Sequence, residues 1–161
     1  MSTSALYLVL AAIAAACCGS FVVRKMRRPK TSNDFVSPRP LQVLLAEDNP
    51  VNQQLAMELL QMRGYAVKLA ANGKEVLAAL EKDTFDVVLM DVNMPEMDGY
   101  QTTAVIRERE KINGRHLPII AITGLSMKGD RERCLQAGMD AYLCKPIRSK
   151  ELFDAVEQAT A

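Results

Sequence analysis

Short apolar runs alternate with amphipathic stretches along most of this chain, and several runs end on a polar residue. Val43-Leu44-Leu45-Ala46 leads into Glu47-Asp48-Asn49, and Val87-Val88-Leu89-Met90 into Asp91. Ile119-Ile120-Ala121-Ile122 leads into Thr123, and Ala141-Tyr142-Leu143-Cys144 into Lys145. Runs of this length read as strands buried on both faces, as in a parallel sheet with crossover helices. Strands are predicted over Gln42–Ala46, Ala66–Ala70, Val87–Asp91, Ile119–Thr123 and Ala141–Cys144. Helices are predicted over Pro50–Met62, Gly73–Glu81, Gly99–Lys111, Lys128–Ala137 and Lys150–Ala159. This alternation gives an α/β fold with a doubly wound, five-stranded parallel sheet.

The first helix shows why the ends are readable. Asn49 can cap it, Pro50 suits its first turn, and Gly64 supplies the positive φ that commonly ends a helix. Val51, Leu55, Leu59 and Met62 include a helical stripe. Met57, Met62 and Met139 are expected to fill core space.

Before the first strand the pattern changes. Ala5 to Val23 carries no charge, and as a helix it would span close to 30 Å, enough for a hydrocarbon core. The dense basic block Arg24-Lys25-Met26-Arg27-Arg28-Pro29-Lys30 follows, which under the positive-inside rule places the remaining chain in the cytoplasm. Residues 1–24 are therefore expected to form a single-pass membrane anchor and residues 25–40 a basic, Pro- and Ser-containing linker. The main rival is a cleaved signal peptide. Against it, no positive charge precedes the apolar run, and the basic block lies on the wrong side.

Composition narrows the picture further. The 161 residues leave room for one domain plus an appendage, and the net charge of +1 gives no sign of nucleic-acid binding. The four cysteines are too few and too scattered for a disulfide framework, and read as reduced thiols acting as small apolar residues.

The polar residues at the strand ends carry the chemistry. In open parallel sheets the ligand crevice lies beyond the carboxyl ends of the strands, so Glu47, Asp48, Asp91, Thr123 and Lys145 converge there. Three crowded carboxylates repel one another unless a cation joins them, and oxygen-only ligands favour Mg2+ or Mn2+. Lys145 adds a positive charge and Thr123 a hydroxyl. The set describes a pocket for a phosphoryl group on Asp91, since carboxylates can form aspartyl phosphates. Each residue alone has an ordinary explanation as a cap, turn or surface residue; their joint placement argues for a site. His116, in a predicted loop, reads as an exposed loop residue.

The stretches Leu44-Leu45-Ala46-Glu47-Asp48-Asn49-Pro50-Val51-Asn52, Leu89-Met90-Asp91-Val92-Asn93-Met94-Pro95-Glu96-Met97-Asp98-Gly99 and Lys145-Pro146-Ile147 resemble the response-regulator receiver family. The likeness is greatest to the receivers of hybrid sensor histidine kinases, and it covers residues 41–161. The resemblance implies a flavodoxin-like strand order of 2-1-3-4-5 and makes Asp91 the phosphoacceptor. It implies that Asp48, Asp91 and the Asn93 carbonyl hold the metal, with Glu47 acting through bound water. Thr123 and Lys145 would contact the phosphoryl group, Tyr142 would be the switching aromatic, and Pro146 would follow a cis bond. The implied partners are a histidine kinase or a histidine phosphotransfer protein, and an output protein. Gly124 in place of alanine and Glu47 in place of aspartate are the departures from the family pattern, and neither removes a required group. No output segment is expected after Ala161 and no kinase domain before Leu41.

Two other functions compete. A phosphatase of the haloacid-dehalogenase kind also uses an Asp nucleophile, Thr, Lys and Mg2+, but it needs an acid two residues after the nucleophile. Here that residue is Asn93, which cannot transfer a proton. A receiver-like interaction module, or a fragment of a hybrid kinase, is the other; an interaction module would have a damaged acidic pocket. A phosphoacceptor is not expected to act as an enzyme beyond its own phosphorylation and dephosphorylation. A dinucleotide-binding fold would need a glycine fingerprint where Glu47-Asp48-Asn49-Pro50 stands.

Overall fold

The computed structural model describes residues 39–124 and 129–161. The apolar run Ala5–Val23, the basic block and most of the linker lie outside the described residues, as does Lys128, the first residue of the fourth predicted helix. Among the described residues, no helix is long and apolar enough to cross a membrane.

The strands are β1 (Gln42–Ala46), β2 (Ala66–Ala70), β3 (Val87–Asp91), β4 (Ile119–Thr123) and β5 (Ala141–Cys144). Between and after them run α1 (Pro50–Met62), α2 (Gly73–Lys82), α3 (Gly99–Asn113), α4 (Asp130–Gln136) and α5 (Ser149–Ala159). All strand pairs are parallel, in the order β2-β1-β3-β4-β5. The burial pattern agrees with this order. Every residue of β3 and β4 is buried, so these strands sit inside the sheet, whereas β2 exposes Lys68 and Leu69 and stands at an edge.

Period-two alternation sorts the same apolar runs into two cores. Leu44, Ala46, Val88, Met90, Ile119 and Ala121 face one side, against Val76 and Ala79 of α2, Ile106 of α3 and Cys134 of α4. Val43, Leu45, Val87, Leu89, Ile120 and Ile122 face the other, against Ala56 and Leu60 of α1 and Leu152 and Val156 of α5. Each fully buried Leu or Ile contributes about 1.5–3 kcal/mol of burial, so packing against the two helix layers stabilises the sheet that carries the strand ends.

The structure moves several helix ends. α3 runs on to Asn113 because Gly114, at φ 67°, is the residue able to stop it. α4 is shorter than its predicted span, starting after Gly129 (φ 111°) and ending at the cap Ala137. Met139 is core, as expected, but Met62 is 84% exposed and is not. It lies in the last turn of α1, on the face that Val51 and Leu55 also expose. Ala56 and Leu60 are the residues that turn this helix toward the sheet.

Candidate functional site

Because the strands are parallel and β1 lies beside β3, the residues after β1 and at the end of β3 emerge together at the carboxyl edge. Glu47 follows β1 and is only 1% exposed. Its N–H donates to the Ala70 carbonyl (3.1 Å), and its own carbonyl accepts from Gln53 Nε2 (2.6 Å). Its Oε1 accepts from Asn52 Nδ2 (2.8 Å). Asp48 is exposed beside it. Asn49 caps α1, Oδ1 accepting from Val51 N at 2.9 Å, which fixes where the helix leaves the site.

Asp91 closes β3 and is 3% exposed. Its Oδ1 accepts from the Asn93 N–H (3.0 Å) and its Oδ2 from Lys145 Nζ (2.6 Å). Lys145 Nζ also donates to Glu47 Oε1 at 3.0 Å. It also lies 2.7 Å from Oε2, so both Glu47 carboxylate oxygens contact the ammonium. One ammonium thus joins two buried carboxylates contributed by different strands. Underneath, Gly99 N donates to the Val92 carbonyl (3.0 Å), and a Cβ at Gly99 would lie 2.5 Å from the Asp91 carbonyl oxygen. Only glycine lets α3 start this close to the acidic residue.

Electrostatics follow the packing. Burial pushes the Asp91 carboxyl above the usual range; the Lys145 and Asn93 hydrogen bonds pull it down, and the Glu47 charge adds to the rise. Burial lowers the Lys145 ammonium, but hydrogen bonds from it to Asp91 and Glu47 outweigh this and raise it overall. The pair is therefore ionised Lys145 facing a carboxylate that gives up its proton reluctantly.

Glu47, Asp48 and Asp91 offer oxygen atoms that all lie within 4.8 Å of one another. A hard divalent cation such as Mg2+ fits this all-oxygen set.

The other predicted residues are placed by their strands. Asp91 pairs in register with Ile122, so Thr123, 2% exposed, stands one residue beyond it on β4. Lys145 N donates to the Thr123 carbonyl (2.8 Å), and the Lys145–Pro146 bond is cis. Asn93 is exposed, contributing its N–H to Asp91. Tyr142 is 37% exposed, with the Arg131 guanidinium 5.6 Å from its ring centroid. His116 is exposed and lies near the amino end of β4, the opposite end from Thr123, between the carboxylates of Glu110 (3.3 Å) and Asp140 (2.7 Å). Asn52 stood in the sequence only as the end of the family-like stretch from Leu44, with no role assigned to it, and Gln53 was not singled out. On a helix's first turn both look like ordinary polar residues.

A family model for the response regulator receiver domain matches residues 43–157. The chain is 42% identical over 122 residues to hybrid signal transduction histidine kinase I of Dictyostelium discoideum, covering 73% of this chain but 7% of that protein. Among solved structures, the receiver domain of a Pseudomonas aeruginosa sensor histidine kinase, with magnesium coordinated in its active-site cleft, is 44% identical. It superposes with a TM-score of 0.69 and covers 75% of this chain and 98% of that one. The receiver domain of the Saccharomyces cerevisiae response regulator Ssk1, co-crystallised with the histidine phosphotransfer protein Ypd1, is 28% identical with a TM-score of 0.71. That match covers 76% of this chain and 90% of that one. With its sheet order and its strand-end carboxylates beside one lysine, the chain belongs to the response-regulator receiver family.

Proposed function

We propose that this receiver accepts a phosphoryl group from a phosphohistidine onto Asp91. The carrying observation is the buried Asp91 carboxylate, 2.6 Å from Lys145 Nζ, with Glu47 and Asp48 close by. An Asp91 oxygen forms the new P–O bond as the P–N bond breaks, the electron pair leaving with the imidazole nitrogen. Lys145 stays ionised and can follow the transferring oxygens without losing or gaining a proton. Asp48, Asp91 and the Asn93 carbonyl would hold Mg2+, or Mn2+, with Glu47 acting through bound water. A bound divalent ion offsets the charge of the phosphoryl oxygens.

The response would run through Thr123 and Tyr142. A phosphoryl group on Asp91 gives Thr123 a new acceptor, and movement of Thr123 makes room for the half-exposed Tyr142 ring. The donor is a histidine kinase or a histidine phosphotransfer protein. Support for a protein donor comes from α1, which starts at the acidic cluster and exposes Val51 and Leu55 beside it. The chain is a phosphoacceptor rather than an enzyme with a separate substrate.

Transfer from a phosphohistidine protein tests this reading. With Mg2+ the label should leave the donor and appear on this chain; a chelator should slow the transfer by at least about a hundredfold, the scale of a lost charge-stabilising contact. Transfer at an equal rate in chelator would contradict the metal's role, and no transfer from any phosphohistidine donor would contradict the acceptor role.

We also propose that residues 5–23 tether the receiver to the cytoplasmic face of a membrane. This rests on the uncharged run followed by the basic block. The full chain is expected in the membrane fraction after a high-salt wash, with the receiver accessible to protease only from the cytoplasmic side. Release by salt would instead indicate surface binding through Arg24–Lys30.

A further inference from the structure

Glu47 has one more rotatable bond than an aspartate at the same place, and a longer arm buried beside a metal position needs something to fix it. The Asn52 amide does so. From the first turn of α1 its Nδ2 donates to Glu47 Oε1 at 2.8 Å, on the same carboxylate whose Oε2 lies 2.7 Å from Lys145 Nζ. Gln53, the next residue, holds the Glu47 backbone carbonyl at 2.6 Å, so both ends of the glutamate are tied to one helix. That helix start is itself fixed by the Asn49 cap.

We infer that Asn52 is a positioning residue that pins Oε1 of Glu47 and thereby holds its carboxylate toward the divalent cation or its water. The inference rests on the acceptor reading above and assigns a task outside the carboxylates and lysine of that reading. Physically, Asn52 does three things. It supplies a neutral donor to a buried carboxylate, so it adds no charge to compete with the metal. It removes the rotational freedom that a lone glutamate would lose on binding. It also shares Oε1 with Lys145 (3.0 Å), so the ammonium is not the only group orienting Glu47. Partners of this kind behind a metal ligand set its orientation, and their loss typically costs about 10–100-fold in metal affinity.

The test is the Mg2+ affinity of the full chain, measured calorimetrically with Mg2+ alone. Asn52→Ala is expected to weaken binding about tenfold. Asn52→Leu, which keeps the bulk but not the donor, should weaken it equally, and serves if the alanine variant folds poorly. In a Glu47→Asp background, whose shorter arm no longer reaches Nδ2, Asn52→Ala should change affinity less than about twofold, a coupling between the two positions. Wild-type affinity in both Asn52 variants overturns the inference, as does an equal loss from Asn52→Ala with and without Glu47→Asp. If the wild-type chain shows no saturable Mg2+ binding, the metal-assisted acceptor reading itself fails, and this positioning role with it.

Discussion

Asp91→Asn is expected to abolish phosphoryl incorporation from a small phosphodonor while making the metal-free protein more stable. The amide keeps the shape of the side chain but has no carboxylate oxygen to attack phosphorus. Its removal of charge is the source of the gain. Asp91 is buried, and its folded-state pKa lies above the usual 3.8. A raised carboxyl binds its proton more tightly in the folded state, so its contribution is full below 3.8 and is lost as pH rises through the raised value. Above that window the ionised carboxylate is a standing cost beside Glu47. Replacing it should stabilise the chain by roughly 0.5–2 kcal/mol at neutral pH, the scale of relieving strain at a functional site, with the gain shrinking as pH falls toward about 4. Intact-mass measurement and urea unfolding across pH check the two halves. Retained labelling sinks the acceptor assignment, and a loss of stability at neutral pH sinks the electrostatic account.

Lys145→Ala should have the larger effect on stability. It leaves Glu47, 1% exposed, and Asp91, 3% exposed, facing each other without their shared cation. Breaking a buried pair by removing one partner costs about 3–5 kcal/mol, and the lysine side chain's 23% exposure puts the expected loss at the lower end, about 3 kcal/mol. In the wild type Lys145 has a raised pKa, so its contribution is fully present below 10.5 and is lost as pH climbs through the folded value. Mg2+ should restore part of the loss in Lys145→Ala, because a divalent ion answers the same repulsion. Thermal unfolding in chelator and in excess Mg2+ measures this. Unchanged stability in chelator would mean that the carboxylates do not depend on the ammonium.

The inner strands β1, β3 and β4 were legible in the sequence because burial on two faces leaves a continuous apolar run, which ends where the chain leaves the sheet. Even the edge strand Ala66–Ala70 kept its bounds, despite the exposed Lys68. Helix ends were less legible. Whether α3 stops at Lys111 or at Asn113 depends on Gly114 taking up φ 67°, and α1 turns Ala56 and Leu60 inward rather than Val51 and Met62. Of the stripe read from the sequence, Leu59 packs against the core while Val51, Leu55 and Met62 stay exposed.

The acidic cluster could be read because its members sit at strand ends, where topology alone brings them together. Asn52 and Gln53 could not, since their contacts with Glu47 depend on the angle at which α1 leaves β1. Nor could Glu96, which has a φ of 63° in the loop after β3 and pairs with Lys74 at 3.0 Å. Its conformation is imposed by the turn that carries the chain from Asp91 down to the α3 cap.

The most direct test of the central claim is to locate the phosphoryl group after transfer from a phosphohistidine donor. Reductive trapping of the acyl phosphate followed by peptide mass spectrometry identifies the modified residue. The account predicts a single modification, on Asp91, formed in the presence of Mg2+. Modification of Asp48 or Glu47 in the wild-type chain, or a stable phosphate ester on Thr123 in place of an acyl phosphate, would contradict it.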